Sequence, residues 1–274
     1  MQYLGGKSRL VKRLLPYIEA ELARPGVTAY VEPFMGGGNV LCALRTPLPK
    51  FGSDAHPELM ALWQHLQDGG DVPTDVDEAA YARAKAGEGP AWLRGFIGFG
   101  GSFGGKWWGG YARGGAQRNY FSNARNSLRK KLDGLRGVVL AQCSYAQVEA
   151  QHAVIYCDPP YVDTTGYSQG TFSHYAFWQW AQQMAHHNIV LVSEYQAPDG
   201  VPLLAEFPTH TEMRGSSTKV RIPRTERLYR LGPLGWPPRP QAPRSSHLTR
   251  PPSPIYTHNS EPAPTGATLE RTGP

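Results

Sequence analysis

The sequence predicts an α/β fold, a doubly wound sheet interrupted by one long irregular insertion. Three observations carry this. First, residues 28–67 run strand, glycine turn, helix, strand, acid, helix, the order of a mononucleotide-binding half of such a sheet. Second, the rhythm returns beyond residue 136 as three apolar runs that each end in polar groups: "GVVLAQCSY", "AVIYCDPPY" and "NIVLVSEY". Third, the run ending at Tyr156-Cys157-Asp158-Pro159-Pro160-Tyr161 closes on two prolines, which cannot donate to a sheet ladder and restrict the residue before them. The strand must therefore stop at Asp158. An acid, a carbonyl and a ring are then held at the carboxyl edge, where open α/β sheets bind ligands.

Each element follows in order. Gly5-Gly6 precedes Lys7, and Ser8 is placed to cap a helix over "RLVKRLLPYIEAELA", with Leu10, Leu14, Leu15 and Ile18 along one face. "TAYVEP" reads as a buried strand entering the turn "FMGGG", and "NVLCALR" as the helix after it. "KFGSD" is a second strand delivering Asp54, followed by the helix "PELMALWQHLQ". From about Asp68 to Arg136 the alternation is lost, and glycine interleaves with aromatic and basic residues in "FIGFGGSFGGKWWGGYARGGAQRNYF". At the far end, "TKVRIP" and "ERLYRL" are expected to pair as a closing hairpin. The expected division is a catalytic domain of residues 1–67 and 137–232, an insertion of residues 68–136, and a tail of residues 233–274. Eleven of the chain's 25 prolines fall in that tail, which reads as extended or disordered.

Bulk composition narrows the classes. The chain of 274 residues is 40% hydrophobic, enough for a real core, with no apolar run long enough to cross a membrane and no secretory core at the N-terminus. Three cysteines without metal-type spacing fit a reduced, intracellular protein with no zinc site. Net charge is +6 and uneven: residues 94–136 hold nine basic side chains and one acid. Such a concentration is the footprint of a polyanion partner.

The chemistry-bearing positions follow from these elements. Glycine at Gly36, Gly37 and Gly38 lets the backbone turn tightly and approach a ligand. An acid at Asp54, ending the next strand, can accept from a ribose diol, which suits a dinucleotide or S-adenosylmethionine alike. "GGKS" is not a phosphate loop, since the pattern's first glycine would fall on Met1. The "DPPY" group offers most. An exocyclic amine on a purine is a poor nucleophile because its lone pair is delocalised. A carboxylate (Asp158) and a carbonyl (Pro159) that accept its hydrogens free that pair for attack, and Tyr161 gives the base a ring to stack on. Ser193, Glu194 and Tyr195 are expected near the same edge.

Taken together, "YLGGKSRL", "VEPFMGGG", "SDAHPEL" and "YCDPPY", in that order, resemble the Dam-like (α-group) DNA adenine-N6 methyltransferase family over roughly residues 2–232. The resemblance implies a Rossmann-like S-adenosylmethionine-dependent methyltransferase fold with an inserted, mainly helical and loop, DNA-recognition region. It implies S-adenosylmethionine as donor, held by Tyr3, Lys7, Glu32, Phe34, Gly36, Gly38, Asp54 and Asp158, and no metal. The catalytic tetrad falls on Asp158, Pro159, Pro160 and Tyr161, and Arg224, Thr225 and Glu226 loosely resemble the family's RT-x-E pattern, without its intervening residue. The implied partner is double-stranded DNA, contacted by Lys106, Trp107, Trp108, Tyr111, Arg113, Arg118, Asn119, Lys219 and Arg224. Ser102 and Gln117 join Asn119 as possible readers of base edges. The target adenine would be flipped out of the duplex, in a bacterial or phage-infected cytoplasm. Both an orphan enzyme and a restriction-modification partner fit. Cytosine-N4 transfer, or a DNA-binding accessory protein with a decayed site, are the alternatives.

Overall fold

In a computed structural model the described residues are 1, 3, 5–113, 119–161, 172–214 and 219–233. Residues 234–274, nearly all of the proline-rich tail, lie outside them. A short 3-10 turn, Lys7–Arg9, leads into helix α1 (Val11–Leu22). Strands β1 (Ala29–Glu32) and β2 (Lys50–Asp54) and helix α2 (Pro57–Gln67) follow. The long connection carries α3 (Glu78–Lys85), α4 (Ala91–Gly100), α5 (Tyr120–Arg129) and α6 (Leu132–Leu135). Then come β3 (Val139–Gln142), β4 (Ala153–Cys157), α7 (His174–Met184), β5 (Ile189–Glu194), β6 (Leu203–Arg214) and β7 (Lys219–Leu231).

The seven strands form one sheet in the order β3-β2-β1-β4-β5-β7-β6. The first five are parallel, while β7 runs antiparallel to both β5 and β6. The α/β class expected from sequence is therefore the fold observed. Strand order reverses between β1 and β4, and such a switch point opens a crevice at the carboxyl ends of the strands.

Side-chain alternation along β4 builds the two layers. Val154 and Tyr156 enter the core beneath α1, α2, α4 and α5, with Leu14, Ile18, Trp63 and Phe96. Ala153, Ile155 and Cys157 face α7, with Phe177 and Trp178. Both faces of the central strands are covered, as parallel strands require. The helices of residues 68–136 share the first core, and α4 lies so close to α2 that a Cβ on Gly95 would sit 2.1 Å from the Glu58 carbonyl oxygen. Buried Arg230 of β7 donates from Nε to Glu21 of α1 at 2.9 Å, tying the antiparallel arm to the first helix.

Three local expectations are corrected. "NVLCALR" makes a single turn, closed by Leu44 N donating to the Val40 carbonyl at 2.9 Å, and not a helix. The segment is confined between Gly38 and "TPLP", too short to repay helix nucleation. Ser8 caps nothing, because the 3-10 turn runs into α1 and puts Leu10 at the cap position. From Lys219 on, "TKVRIP" and "ERLYRL" belong to one 13-residue strand, β7, whose hairpin partner is β6; Thr218 lies outside the described residues. Pro208 obscures β6 in the sequence, yet β6 is the edge strand, where a missing N–H is tolerated.

Candidate active site

A cavity of about 430 Å³ opens at the switch point. Strand β1 delivers buried Glu32 and then the turn Phe34–Gly38, and β2 delivers Asp54. The turn needs its glycines. Gly36 has φ +47°, and a Cβ there would lie 2.8 Å from the Tyr3 ring; Gly38 has φ +61° and would meet Trp63 at 2.9 Å. Asp54 fixes the turn from below: Gly36 N donates to its Oδ2 at 2.9 Å and His56 N to its Oδ1 at 3.0 Å. Trp63 Nε1 donates to the Gly36 carbonyl at 2.9 Å. On the α7 side Phe34 stacks on Tyr145 at 5.3 Å, giving the cavity an aromatic wall.

β4 ends at Cys157, so Asp158 is the first residue beyond the ladder, and it faces the same cavity. Lys7, 5% exposed, donates from Nζ to Asp158 Oδ1 at 2.5 Å and lies 3.1 Å from Glu226 Oε1. Tyr161 donates its hydroxyl to Glu226 Oε1 at 2.6 Å, and Lys7 Nζ stands 4.5 Å from the centroid of its ring. Tyr195 meets the same ring edge-on at 4.6 Å, and the Arg224 guanidinium lies 5.1 Å from the Tyr195 centroid. One cation is thus shared by two carboxylates and a phenol.

Burial sets the protonation states. It pushes Asp158 up to about 6, against the attraction of Lys7 and with the repulsion of Glu226. Burial depresses Lys7, but the charges of Asp158 and Glu226 outweigh it and leave the ammonium above its usual value. Glu32 is raised to about 8, chiefly by burial, although the Tyr30 hydroxyl donates to it at 2.7 Å. Near neutral pH, Asp158 is therefore a carboxylate and Glu32 a carboxylic acid.

Of the positions expected at the site, Tyr3, Lys7, Glu32, Phe34, Gly36, Asp54, Asp158, Pro160, Lys106 and Trp107 line this cavity. Gly38 lies behind the turn under Trp63, and Pro159 is buried at the strand exit. Sequence reasoning missed Tyr145, Phe172, Phe99 and His56. His56 follows Asp54 by two residues, but its neighbours are set by the tertiary fold. Burial holds its pKa down to about 4, and its ring meets Trp107 edge-on at 4.2 Å. Nδ1 accepts from Leu59 N at the start of α2, and the buried Nε2 has no hydrogen-bond partner.

Several of the residues expected to face DNA make contacts within the fold. Tyr111 donates its hydroxyl to the Val76 carbonyl at 2.9 Å, and Trp108 packs edge-on against Tyr81 at 5.2 Å. Asn119 caps α5 through Ser122 N and donates to the Thr74 carbonyl at 2.9 Å. Ser102, 1% exposed, donates to the Gly98 carbonyl at 2.6 Å. The basic count is also diluted by acids from outside the stretch. Arg94 lies near Glu58, Arg113 pairs with Glu78, and Arg125 donates from Nε to Asp71 at 2.8 Å. Arg136 pairs with Asp133, while Lys131 donates to the Gly37 carbonyl and to Asn39 Oδ1. Among the described residues Lys106, Arg129 and Lys130 form no salt bridge, although the charge of Arg129 reaches Asp71. Arg118 and Gln117 fall outside the described residues, and of Lys219 only the backbone, in β7, is described.

Among the described residues no group of three or more His, Cys, Asp or Glu assembles to hold a metal, and no helix is long and apolar enough to cross a membrane. No curated protein matches the chain. Solved structures similar to it include the rRNA methyltransferase aviRa from Streptomyces viridochromogenes, at 16% identity and TM-score 0.41, covering 83% of this chain and 86% of that one. Another is a putative RNA methyltransferase from Pyrococcus horikoshii, at 11% identity and TM-score 0.39, with coverages of 81% and 82%. A precorrin-6y C5,15-methyltransferase from Geobacter metallireducens superposes at 7% identity and TM-score 0.37, with coverages of 81% and 89%. Residues 3–87, which carry Lys7, the glycine turn and Asp54, match the family model of the D12 class N6 adenine-specific DNA methyltransferases.

Proposed function

We propose that the protein is a site-specific DNA methyltransferase that moves a methyl group from S-adenosylmethionine to N6 of adenine. The observation that carries the reading is the placement of Asp158, at a proline-stopped strand exit, in one cavity with the glycine turn and Asp54. Its volume of about 430 Å³ lies within the range of small-molecule sites. The lining suits a cationic, ribose-bearing donor: Glu32, Asp54 and Asp158 supply acceptors, the Phe34–Tyr145 pair an apolar wall, and Gly36 a cradle that a side chain would fill. Tyr3, Lys7, Glu32, Phe34, Gly36 and Asp54 would hold the donor. When bound it supplies an electrophilic methyl on a sulfonium.

The rest is work for the chain's own groups. Asp54 has both oxygens oriented by backbone N–H bonds, which leaves lone pairs for a ribose diol. Lys7 keeps Asp158 ionised despite its burial, so that the carboxylate accepts a hydrogen from the target amine while the Pro159 carbonyl accepts the other. Both acceptors localise the lone pair on nitrogen. Buried, pre-oriented acceptors act more strongly there than in water. Residues 68–136 serve as the recognition region, with Lys106 and Trp107 at the cavity and Arg129 and Lys130 available to phosphate. The target base reaches the cavity by leaving the stack, which costs a few kcal/mol.

Plasmid DNA incubated with the protein and the donor, then digested to nucleosides and weighed by mass spectrometry, tests the reading. N6-methyladenine is expected, and its loss in Asp158→Ala with donor binding retained. N4-methylcytosine would redirect the reading to cytosine, and the absence of any methylated nucleoside would end it.

A further inference from the structure

The strand that brings the last partner to the site, β7, lies outside residues 3–87 and outside the DPPY group. It runs past the end of β5: Arg227 pairs with Glu194, the last residue of that strand, and Glu226 is the next position beyond. Glu226 is thereby carried over the carboxyl edge of the sheet. It is 7% exposed, and its Oε1 receives the Tyr161 hydroxyl at 2.6 Å and stands 3.1 Å from Lys7 Nζ. A carboxylate so buried is costly unless its partners are close and oriented. These two partners are the ring of the DPPY group and the cation that holds Asp158.

We propose that Glu226 is a positioning residue for the reaction: it fixes Tyr161 through the hydroxyl and anchors Lys7 between two carboxylates, so that Asp158 keeps an oxygen for the target amine. The inference rests on the methyltransferase reading for its catalytic consequence, though not for its electrostatic one. The titratable groups around Asp158 are Lys7 from the first 3-10 turn, Glu32 from β1, Tyr156 and Cys157 from β4, Tyr161 and Glu226. Of these, Glu226 contributes negative charge that lifts the Asp158 pKa. Removing that charge must lower it.

Glu226→Gln is the informative change, because an amide oxygen still accepts from Tyr161 while the negative charge facing Lys7 is lost. With protein carrying ¹³C-labelled aspartate carboxyls, the Asp158 resonance is titrated in wild type and variant. A lower midpoint in the variant is expected, and an unmoved midpoint overturns the inference whatever the substrate. In the methylation assay kcat is expected to fall about tenfold, the size of one charge-assisted hydrogen bond, with KM for DNA held and the acid limb moved to lower pH. Glu226→Ala should lose more than Glu226→Gln, and Tyr161→Phe should fall between wild type and Glu226→Ala. Circular dichroism and S-adenosylhomocysteine calorimetry verify that each variant is folded. A folded Glu226→Gln with kcat within about twofold of wild type and an unmoved acid limb overturns the catalytic part. A wild type that methylates no DNA would sink the functional reading alone, since the titration stands apart from it.

Discussion

Lys7 is the position where the structure makes its sharpest energetic demand. Its side chain is 4% exposed, and it lies 2.5 Å from Asp158 and 3.1 Å from Glu226, whose own side chains are 19% and 10% exposed. Lys7→Met keeps the apolar stem and deletes the charge, leaving two carboxylates facing each other with no cation. Removing one partner from a buried pair costs about 3–5 kcal/mol. The cost must depend on pH. Asp158 in the folded protein binds its proton more tightly than its ordinary 3.8, at about 6. Its contribution to stability is therefore full below the unfolded value and lost as pH rises through the folded one. Without Lys7 the folded value climbs further, so the loss extends to higher pH and the variant regains stability in acid, by up to about 1.4 kcal/mol per pH unit. Urea melts of both proteins at pH 5, 6, 7 and 8 measure the difference directly. A penalty below about 1 kcal/mol at pH 8, or one that does not shrink at pH 5, would refute the placement of Lys7 between ionised groups.

Two further outcomes follow. Gly36→Ala forces a side chain into a left-handed position 2.8 Å from the Tyr3 ring, so S-adenosylhomocysteine affinity should fall at least about tenfold by calorimetry, with loss of fold excluded by circular dichroism. The double change Arg129→Ala, Lys130→Ala should weaken binding to duplex DNA of any sequence and lower the log–log salt slope by about 1–2 in a fluorescence titration, whereas Arg113→Ala, already paired with Glu78, should change it less.

Much of the fold was legible because its determinants are local. Short apolar runs bounded by glycine, proline and acids favour sheet strands, and β1, β4 and β5 were readable on that ground, with β2 marked by the acid that ends it. The proline pair after Cys157 fixed where β4 ends. Strand β6 was not legible, because Pro208 is admissible only at an edge, and whether a strand is an edge depends on six others. The short turn at residues 39–44 was likewise overread, since helical composition says nothing of the room between Gly38 and Pro47.

The site divides along the same line. Sequence by itself determined the acid at a rigid strand exit, the glycine turn and the acid that ties it, because each depends on backbone freedom within a few residues. Only the tertiary structure decided that Lys7, 151 residues from Asp158, would rest on it, and that β7 would bring Glu226 to both Lys7 and Tyr161. Charge made the same point in reverse. The basic stretch looked unopposed along the chain, yet Glu58, Asp71 and Glu78 meet it in space, and Lys131 spends its hydrogen bonds on the glycine turn. Ionic interactions act through distance in three dimensions, and a count along the sequence carries no information about that distance.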